Sequence, residues 1–141
     1  MVSLLDVNVL VALLVPEHEH HVPAVDWFAT DAVRNGWATC AVTELGVIRV
    51  CAQLHGGAWL PDTTAGALLV LTASSAGYVW WPDAVSPVVI QEVRAANTGK
   101  QVTDRYLLGL ARRNSGRIAT FDRALATFGG GDAICLLPAH K

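Results

Sequence analysis

The sequence predicts a three-layer α/β fold built on a mainly parallel central sheet. Short apolar runs bounded by turn residues or acids alternate along the chain with longer segments of helical periodicity. Hydrophobic residues make up 52% of the 141 residues and charged residues 16%, a balance typical of a compact buried core. The length is that of a single domain, residues 1–141, and is sufficient for such a core.

Composition also excludes several other classes of protein. Disordered chains combine low hydrophobicity with high charge, and this chain has the opposite balance. The longest uninterrupted apolar run, residues 9–15, is far shorter than the roughly 20 residues that a membrane-spanning helix needs. The N-terminus has no basic region of the kind found in signal peptides, and Asp6 interrupts its apolar stretch. We therefore expect a cytoplasmic protein.

The first strand and helix surround a single carboxylate. Residues 2–5 suit a strand that is covered on both faces, and residues 9–15 suit a buried helix. Asp6 then lies at the carboxyl end of the strand, where ligand sites form in open α/β sheets. The alternative is that Asp6 or Asn8 only caps the helix.

A loop with three histidines and a second helix follow. Residues 16–21 contain the histidines without a Cys or carboxylate at a recognised zinc spacing, so we interpret them as a surface loop rather than a zinc site. A helix is predicted over residues 22–33, with its first turn at Pro23. The residues expected to face the core from this helix are Val25, Phe28, Ala29 and Ala32.

The second strand repeats the arrangement of the first. Residues 37–40 form a short buried-type strand, and residues 41–53 alternate apolar and polar residues at helical spacing. Thr43 is a plausible N-cap for this helix, and Glu44 lies in its first turn. Glu44 therefore follows a strand and begins a helix, as Asp6 does.

The middle of the chain continues the alternation of helices and strands. We expect helices over residues 61–73 and 86–96, and a strand over residues 78–81 between them. Trp80 and Trp81 could stack on nucleobases, but neighbouring residues of a strand face opposite ways, so at most one is available. Packing in the core or in a dimer is the simpler interpretation for both.

The last third contains a strongly patterned helix and two strands. The helix is predicted over residues 102–114, capped by Thr103 or Asp104, and strands over residues 117–121 and 133–137. Its apolar face consists of Tyr106, Leu107, Leu110 and Ala111. The three cysteines are isolated in the sequence, and each is most simply a small buried side chain.

Four acids occupy equivalent positions at the ends of strands or the starts of helices, namely Asp6, Glu44, Asp104 and Asp122. In a parallel sheet they can gather at one edge, where mutual repulsion raises their pKa values unless a cation binds. Oxygen-only ligands favour Mg2+ or Mn2+. Such a site suits the hydrolysis of phosphate esters. The sequence therefore predicts a metal-dependent phosphodiesterase or phosphatase.

The charge distribution suggests a nucleic-acid substrate. Residues 1–93 hold two arginines against nine acids, a balance of −7, whereas residues 94–141 hold eight Lys and Arg against three acids, a balance of +5. A basic segment can contact a polyanion through local patches. A solvated helical face remains the alternative interpretation of these charges.

Four stretches resemble the acidic motifs of PIN-domain ribonucleases. They are residues 4–10 (LLDVNVL), 43–45 (TEL), 102–111 (VTDRYLLGLA) and 119–123 (ATFDR). The four occur in order across nearly the whole chain, which makes the combination specific although each is weak alone. Length and motif order are most similar to VapC toxins of bacterial VapBC toxin–antitoxin pairs.

The resemblance implies a PIN-like α/β/α fold and a Mg2+-dependent endoribonuclease. Its catalytic metal shell would use Asp6 and Asp104 as principal ligands, with Glu44 and Asp122 completing it. The two polar residues beside these acids, Asn8 and Thr120, would orient an acid or a metal-bound water. A homodimer is also implied, inhibited by a cognate VapB-type antitoxin whose C-terminal segment crosses the active-site groove.

The basic residues are candidates for holding the RNA backbone, the antitoxin or the second subunit, three uses that the sequence does not separate. They are Lys100, Arg105, Arg112, Arg113, Arg117 and Arg123. Two other functions remain as alternatives. A haloacid-dehalogenase-like phosphatase would want a second Asp where Asn8 stands, and a non-catalytic PIN-like module would bind RNA or a partner without chemistry.

Overall fold

The computed structural model describes residues 1–54 and 56–138 and contains a five-stranded, fully parallel sheet. In chain order the strands are β1 (Ser3–Leu5), β2 (Trp37–Thr39), β3 (Tyr78–Trp80), β4 (Arg117–Thr120) and β5 (Ala133–Cys135). Their order across the sheet is β3-β2-β1-β4-β5, so β1 lies at the centre. Parallel neighbours require crossover connections, and helices supply them on the two faces. The predicted three-layer α/β/α fold is confirmed.

Helices connect the strands throughout. They are α1 (Val7–Leu14), α2 (His21–Trp27), α3 (Val33–Asn35), α4 (Ala41–Ala52), α5 (Pro61–Ser74), α6 (Gln91–Arg94), α7 (Val102–Arg113) and α8 (Arg123–Gly129). A π-helical turn, Phe28–Ala32, joins α2 to α3, and 3-10 turns cover Pro87–Val89, Gly99–Gln101 and Gly130–Asp132. None of the helices in residues 1–54 and 56–138 has both the length and the apolar character needed to cross a bilayer.

The core lies in two clusters, one on each face of the sheet. Successive residues of a strand point to opposite faces, so Leu4 and Leu5 of β1 belong to different clusters. Leu5 packs with the α1 side chains and Trp37, whereas Leu4 packs with the α7 side chains and Ile118. Burial on both faces explains the continuous apolar runs of the three inner strands, β2, β1 and β4.

Two helices meet closely beside the centre of the sheet. A Cβ placed on Gly46 of α4 would lie 2.5 Å from a methyl carbon of Val7 in α1, a distance that no real side chain tolerates. The missing side chain therefore lets α4 pack directly against α1. This packing fixes the helix that follows Asp6 against the helix that carries Glu44.

The second helix differs from its prediction in register. It begins at His21, and the π-helical turn adds a residue to one turn, which rotates the following side chains. Ala24 and Ala32 are fully buried, while Val25, which precedes the π-helical turn, is 39% exposed and Ala29 within the turn is exposed. The predicted core positions Val25 and Ala29 are therefore wrong, and Ala32 is confirmed.

The helix predicted over residues 86–96 is also wrong. Pro87–Val89 forms only a 3-10 turn, and Ile90 has an extended backbone (φ −84°, ψ 118°) that separates it from α6. Adjacent β-branched residues disfavour a continuous helix here.

Two predicted helix caps occupy other positions. Cys40 is the N-cap of α4, and Thr43 is the third helical residue, whose hydroxyl oxygen accepts a hydrogen bond from the Cys40 N–H at 3.0 Å. Because a 3-10 turn leads into α7, its N-cap is Gln101, and Asp104 lies inside the first turn. The prediction that at most one of the two tryptophans is available is confirmed, since Trp81 is 6% exposed and Trp80 46%. Packing of Trp80 in a dimer stays a prediction.

Candidate active site

Two of the predicted acids follow neighbouring strands. β1 and β4 pair in parallel with Leu5 opposite Ala119, and the Asp6 N–H continues the ladder by donating to the Ala119 carbonyl oxygen at 3.0 Å. Asp122 follows β4 after Phe121. Both acids thus lie at the carboxyl edge of the sheet, next to its central strand.

Asp6 is held by two hydrogen bonds. The Thr120 hydroxyl donates to Asp6 Oδ2 at 2.6 Å, and the Val7 N–H donates to Oδ1 at 2.8 Å. The side chain therefore caps α1, and it also faces the groove described below, so capping is not its only contact. Asp6 is 4% exposed, and burial, together with the charge of Asp122, raises its pKa although both hydrogen bonds lower it.

Thr120 lies at the centre of a clip that joins the two strand ends. Its hydroxyl donates to Asp6 and accepts from Asn8 Nδ2 at 3.3 Å and from the Asp122 N–H at 3.0 Å. A hydroxyl has one proton and two lone pairs, so all of its hydrogen-bonding capacity is used. Asn8 completes the clip because its Oδ1 accepts from the Phe121 N–H at 3.2 Å. The contacts fix Asp6 relative to Asp122.

Asp104 reaches the same place from the first turn of α7. The pKa of Asp104 is raised to about 7, first by burial and then by the charges of Asp6 and Asp122, against which Arg105 acts weakly. The three acids line one groove with a volume of about 290 Å³. The other residues that line it are Val7, Asn8, Val11, His18 and Val50. We call this the acid groove.

Asp122 has a structural contact as well. Its Oδ1 accepts from the N–H groups of Ala124 at 2.8 Å and Leu125 at 3.1 Å, so it caps α8. Both bonds go to the same carboxylate oxygen. An acid at a helix N-terminus is also favoured by the partial positive charge there.

Glu44 has a different acidic neighbour from the other three. It is half-buried, and its pKa is raised by burial and by the charge of Asp83. The residues that line the acid groove do not include it. Asp83 was missed by the sequence analysis, although it follows β3 by three residues and the same positional rule could have found it.

Asp83 borders a separate cleft of about 460 Å³. The cleft is lined mainly by apolar groups, including Val42, Val85 and Val102. Tyr106 donates weakly to Asp83 Oδ1 at 3.5 Å and to the Val85 carbonyl oxygen at 3.3 Å. The sheet therefore carries two acidic places along one edge, the acid groove and the Glu44–Asp83 pair.

The donor set of the acid groove suits a hard divalent cation. Within the described part of the chain, no group of three or more His, Cys, Asp or Glu side chains is already arranged to hold a metal ion. Mg2+ nevertheless keeps several waters and commonly takes only one or two carboxylates from a protein. Burial first, and the charges of neighbouring acids after it, raise the pKa values of Asp6 and Asp104, and a bound cation would stabilise both carboxylates in their charged form.

The histidine loop is closer to the site than predicted. His18 lines the acid groove, whereas His20 stacks on Phe121 with ring centroids 4.8 Å apart, and the His21 ring contacts the Ala12 carbonyl oxygen at 2.7 Å. Burial, helped by the charge of His20, lowers the pKa of His18. Sequence reasoning missed His18 because its distance from the acids depends on how the loop folds over α1.

The predicted basic contacts separate into two groups. Arg112 donates to Asp132 at 2.9 Å and to Glu92 at 3.4 Å. Arg117 begins β4, at the opposite end of that strand from Asp122, and bonds Ser3 and Asp31. The structure does not bring Arg112 or Arg117 to the acid groove.

The other four predicted basic residues lie either close to the acids in space or sequence, or exposed to solvent. Arg105 lines a small pocket with Asp104 and Asp122, and its guanidinium lies 3.3 Å from the centre of the Phe128 ring. Arg123 follows Asp122 directly and donates to the Pro138 carbonyl oxygen at 2.8 Å. Lys100 and Arg113 are exposed.

Comparison with known proteins identifies the family. The model of the PIN domain matches residues 3–130. Ribonuclease VapC39 of Mycobacterium tuberculosis is 43% identical over 131 residues, which cover 89% of this chain and 92% of that protein. Ribonuclease VapC29 of the same organism is 39% identical over 140 residues, 98% of each chain. Ribonuclease VapC44 is 40% identical over 129 residues, 89% of each.

The PIN-domain match spans all four acidic motifs and agrees with the all-parallel sheet and the acids at its carboxyl edge. The identities are well above the level at which only the fold is shared. The chain belongs to the PIN-domain family and is similar, over nearly its whole length, to ribonucleases named VapC.

Proposed function

We propose that this protein is a Mg2+-dependent endoribonuclease that acts as the toxin of a toxin–antitoxin pair. The observation that carries the proposal is the acid groove, which Asp6, Asp104 and Asp122 line together. Burial in this groove, and then the charges of Asp6 and Asp122, raise the pKa of Asp104 to about 7. Carboxylates that repel one another at the edge of a groove are suited to a divalent ion and a phosphate. The names of the relatives support RNA as the substrate.

Asp6 and Asp104 are the residues that we expect to hold the ion, with Asp122 completing the set. Mn2+ would suit the same oxygen ligands. When bound, such an ion lowers the pKa of the attacking water and neutralises charge on the leaving oxygen. We assign Glu44 a supporting role, because it does not line the acid groove and the acid whose charge raises its pKa, after burial, is Asp83 rather than Asp6, Asp104 or Asp122. Thr120 and Asn8 would keep Asp6 oriented through the clip.

The reaction that we propose is the hydrolysis of an internal phosphodiester bond. The oxygen of a water forms a new bond to phosphorus while the bond to one ribose oxygen breaks, and that oxygen takes up a proton. The carboxylates of the groove orient the water and accept its proton. Because the acids lie in an open groove, a strand of RNA can cross it without presenting an end.

The RNA backbone would run past the cations that lie nearest the acids. Arg105 and Arg123 follow Asp104 and Asp122 directly in sequence, and we propose them as phosphate contacts. Exposed Lys100 and Arg113 could contact more distant phosphates, which adds affinity without sequence specificity. We do not assign Arg112 or Arg117 to RNA, since each has acidic partners within the chain.

Two protein partners belong to the proposal. A cognate VapB-type antitoxin would inhibit the enzyme by covering the acid groove with a segment carrying a basic side chain, which the clustered carboxylates attract. A homodimer would cover apolar surface such as Trp80, which is 46% exposed on edge strand β3. An RNA substrate would place this activity in the cytoplasm.

The test is cleavage of a mixture of structured RNAs by the purified protein, with and without Mg2+. We expect internal cleavage that EDTA abolishes and that added Mg2+ restores. Asp6→Asn should remove the activity while the protein stays folded, and the matched change Asp26→Asn on an exposed helix residue should leave the activity intact. Failure of the wild-type protein to cleave any RNA would favour the non-catalytic alternative.

The phosphatase alternative has less support. Asn8 supplies an amide to the clip, with its nitrogen on Thr120 and its oxygen on the Phe121 N–H, so it provides no second carboxylate there. Small phosphate esters should therefore not be hydrolysed under conditions in which RNA is cleaved.

A further inference from the structure

We infer that His18 contacts the RNA substrate, donating a hydrogen bond from Nε2 to a phosphate oxygen in the acid groove. The inference deepens the proposed endoribonuclease function and rests on it. His18 lines the acid groove together with Asp6, Asp104 and Asp122. It is half-buried, so its ring is restrained while part of it reaches solvent.

The hydrogen bonds of the histidine loop fix the proton on the ring of His18. The His20 N–H donates to His18 Nδ1 at 3.0 Å, so Nδ1 carries no proton. A neutral imidazole then has its single proton on Nε2, which makes Nε2 a donor. The ring is thus a neutral donor with a defined tautomer.

The loop around His18 is held on both sides. The His18 N–H donates to the Val15 carbonyl oxygen at 3.0 Å, and the His21 N–H donates to the His18 carbonyl oxygen at 3.0 Å. His20 stacks on Phe121, which lies between Thr120 and Asp122 in the sequence. The stacking ties the loop to the strand end that carries the acids, so His18 is pre-positioned for a ligand.

His18 also borders a second pocket, of about 360 Å³. The pocket is lined by Val15, Glu17, Leu54, Ala58 and Trp59 as well as His18. A strand of RNA that crosses the acid groove can therefore pass His18 and continue into this pocket, whose aromatic wall suits a base. His18 lies at the junction, where a phosphate between two nucleotides would be.

A neutral donor is well suited to this place. The acids repel the phosphate, and the proposed metal ion and the arginines attract it. A neutral N–H adds a directional contact to the phosphate without adding a positive charge that would compete with the metal ion for the carboxylates. A hydrogen bond to a charged oxygen changes affinity about tenfold or more.

Two substitutions separate this role from a structural one. In His18→Asn, the side-chain oxygen occupies the place of Nδ1 and keeps the acceptor for His20, while the Nε2 donor is lost. In His18→Gln, the amide nitrogen reaches the place of Nε2 and keeps the donor, while the loop acceptor is lost. The matched control is His21→Asn, because the His21 ring contacts the Ala12 carbonyl oxygen rather than the acid groove.

The experiment measures kcat/KM, KM and melting temperature for Mg2+-dependent cleavage of one RNA that the wild-type protein cleaves. If His18 contacts RNA, His18→Asn lowers kcat/KM about tenfold, largely through KM, and His18→Gln recovers most of the loss. His21→Asn stays at the wild-type value. If His18 only holds the loop, His18→Gln is the more damaging change, which overturns the inference.

A second measurement does not depend on how the His18 variants fold. An inactive Asp104→Asn protein is titrated with an RNA oligonucleotide while the imidazole nitrogens are followed by NMR. The inference expects the His18 Nε2 resonance to move more than those of His21, and equal or absent shifts would overturn it. Absence of cleavage by the wild-type enzyme would instead count against the proposed function.

Discussion

The acid groove and the Glu44–Asp83 pair lie along the same edge of one sheet, yet they differ in what surrounds the carboxylates. In the acid groove the Thr120 hydroxyl donates to Asp6 at 2.6 Å and fixes its side chain. The negative charges of Asp6 and Asp122 both act on Asp104. Asp83 accepts a weak hydrogen bond from the Tyr106 hydroxyl at 3.5 Å and borders an apolar cleft. The difference teaches that position beyond a strand is not sufficient to group acids, since neighbouring elements must also orient an acid and bring further acids beside it, as they do for Asp6.

The largest expected effect comes from removing one charge of the acid groove. Asp104→Asn should lower RNA cleavage about 10³-fold, because it removes a proposed metal ligand and proton acceptor. The same change should raise the melting temperature of the metal-free protein at pH 8, since it removes a buried carboxylate and its repulsion with Asp6 and Asp122. Cleavage kinetics and thermal melting check both effects.

Asp83→Asn provides the control for that experiment, because it removes a carboxylate of the other acidic place. We expect its cleavage rate to stay close to that of the wild-type protein. If Asp83→Asn were as inactive as Asp104→Asn, the distinction between the two acidic places would be wrong.

A smaller effect is expected from breaking the clip while keeping every carboxylate. Thr120→Val leaves Asp6 Oδ2 without its 2.6 Å hydrogen bond. Substitution of a residue that hydrogen-bonds a metal ligand typically lowers metal affinity about 10–100-fold. Mg2+ titration followed by cleavage should show this loss, and Thr120→Ser should recover most of it. Thr127→Val is the matched control, since the exposed Thr127 hydroxyl donates to the Arg123 carbonyl oxygen of its own helix at 2.9 Å. Equal Mg2+ affinity in Thr120→Val and wild type would contradict the assigned role of the clip.

The raised pKa of Asp104 gives a pH dependence with a defined sign. The folded protein holds the proton more tightly than the unfolded chain, because the pKa rises from 3.8 to about 7. The stability that this group contributes is therefore full below about pH 4 and is lost as the pH rises to 7. A metal ion must displace the same proton, so Mg2+ affinity should fall about tenfold from pH 8 to pH 6.

Thermal melting with and without Mg2+ at the two pH values tests this expectation. The increase in melting temperature caused by Mg2+ should be larger at pH 8 than at pH 6. An equal or larger increase at pH 6 would mean that Asp104 does not take part in binding the ion.

The smallest effect concerns the part that Glu44 plays. Glu44→Gln should lower cleavage no more than about tenfold, as expected for a group that acts on the ion through other ligands. Asp83→Asn should lower the pKa of Glu44 toward its ordinary value, which NMR titration of the carboxyl carbons can measure. A loss with Glu44→Gln as large as that with Asp104→Asn would place Glu44 among the direct ligands and would join the two acidic places.

Local sequence rules predicted the elements and the positions of most acids along them. The apolar runs of β1, β2 and β4 became strands buried on both faces, and the pattern of α7 correctly gave its buried face, including Tyr106 and Leu107. The rule that ligand sites follow parallel strands located Asp6 and Asp122 at one edge. The rules failed where helical registers changed, as at the π-helical turn Phe28–Ala32, because propensity does not specify that irregularity.

The sequence by itself determined that acids would stand at the carboxyl edge of a parallel sheet, but the strand order decided which acids meet. Because β1 lies beside β4, Asp6 and Asp122 come together, and because β2 lies beside β3, Glu44 meets Asp83. The tertiary structure also brought His18 into the acid groove and enclosed Arg112 in ion pairs. These outcomes depend on contacts between residues far apart in the chain, whereas periodicity reports only which face of its own element a residue occupies.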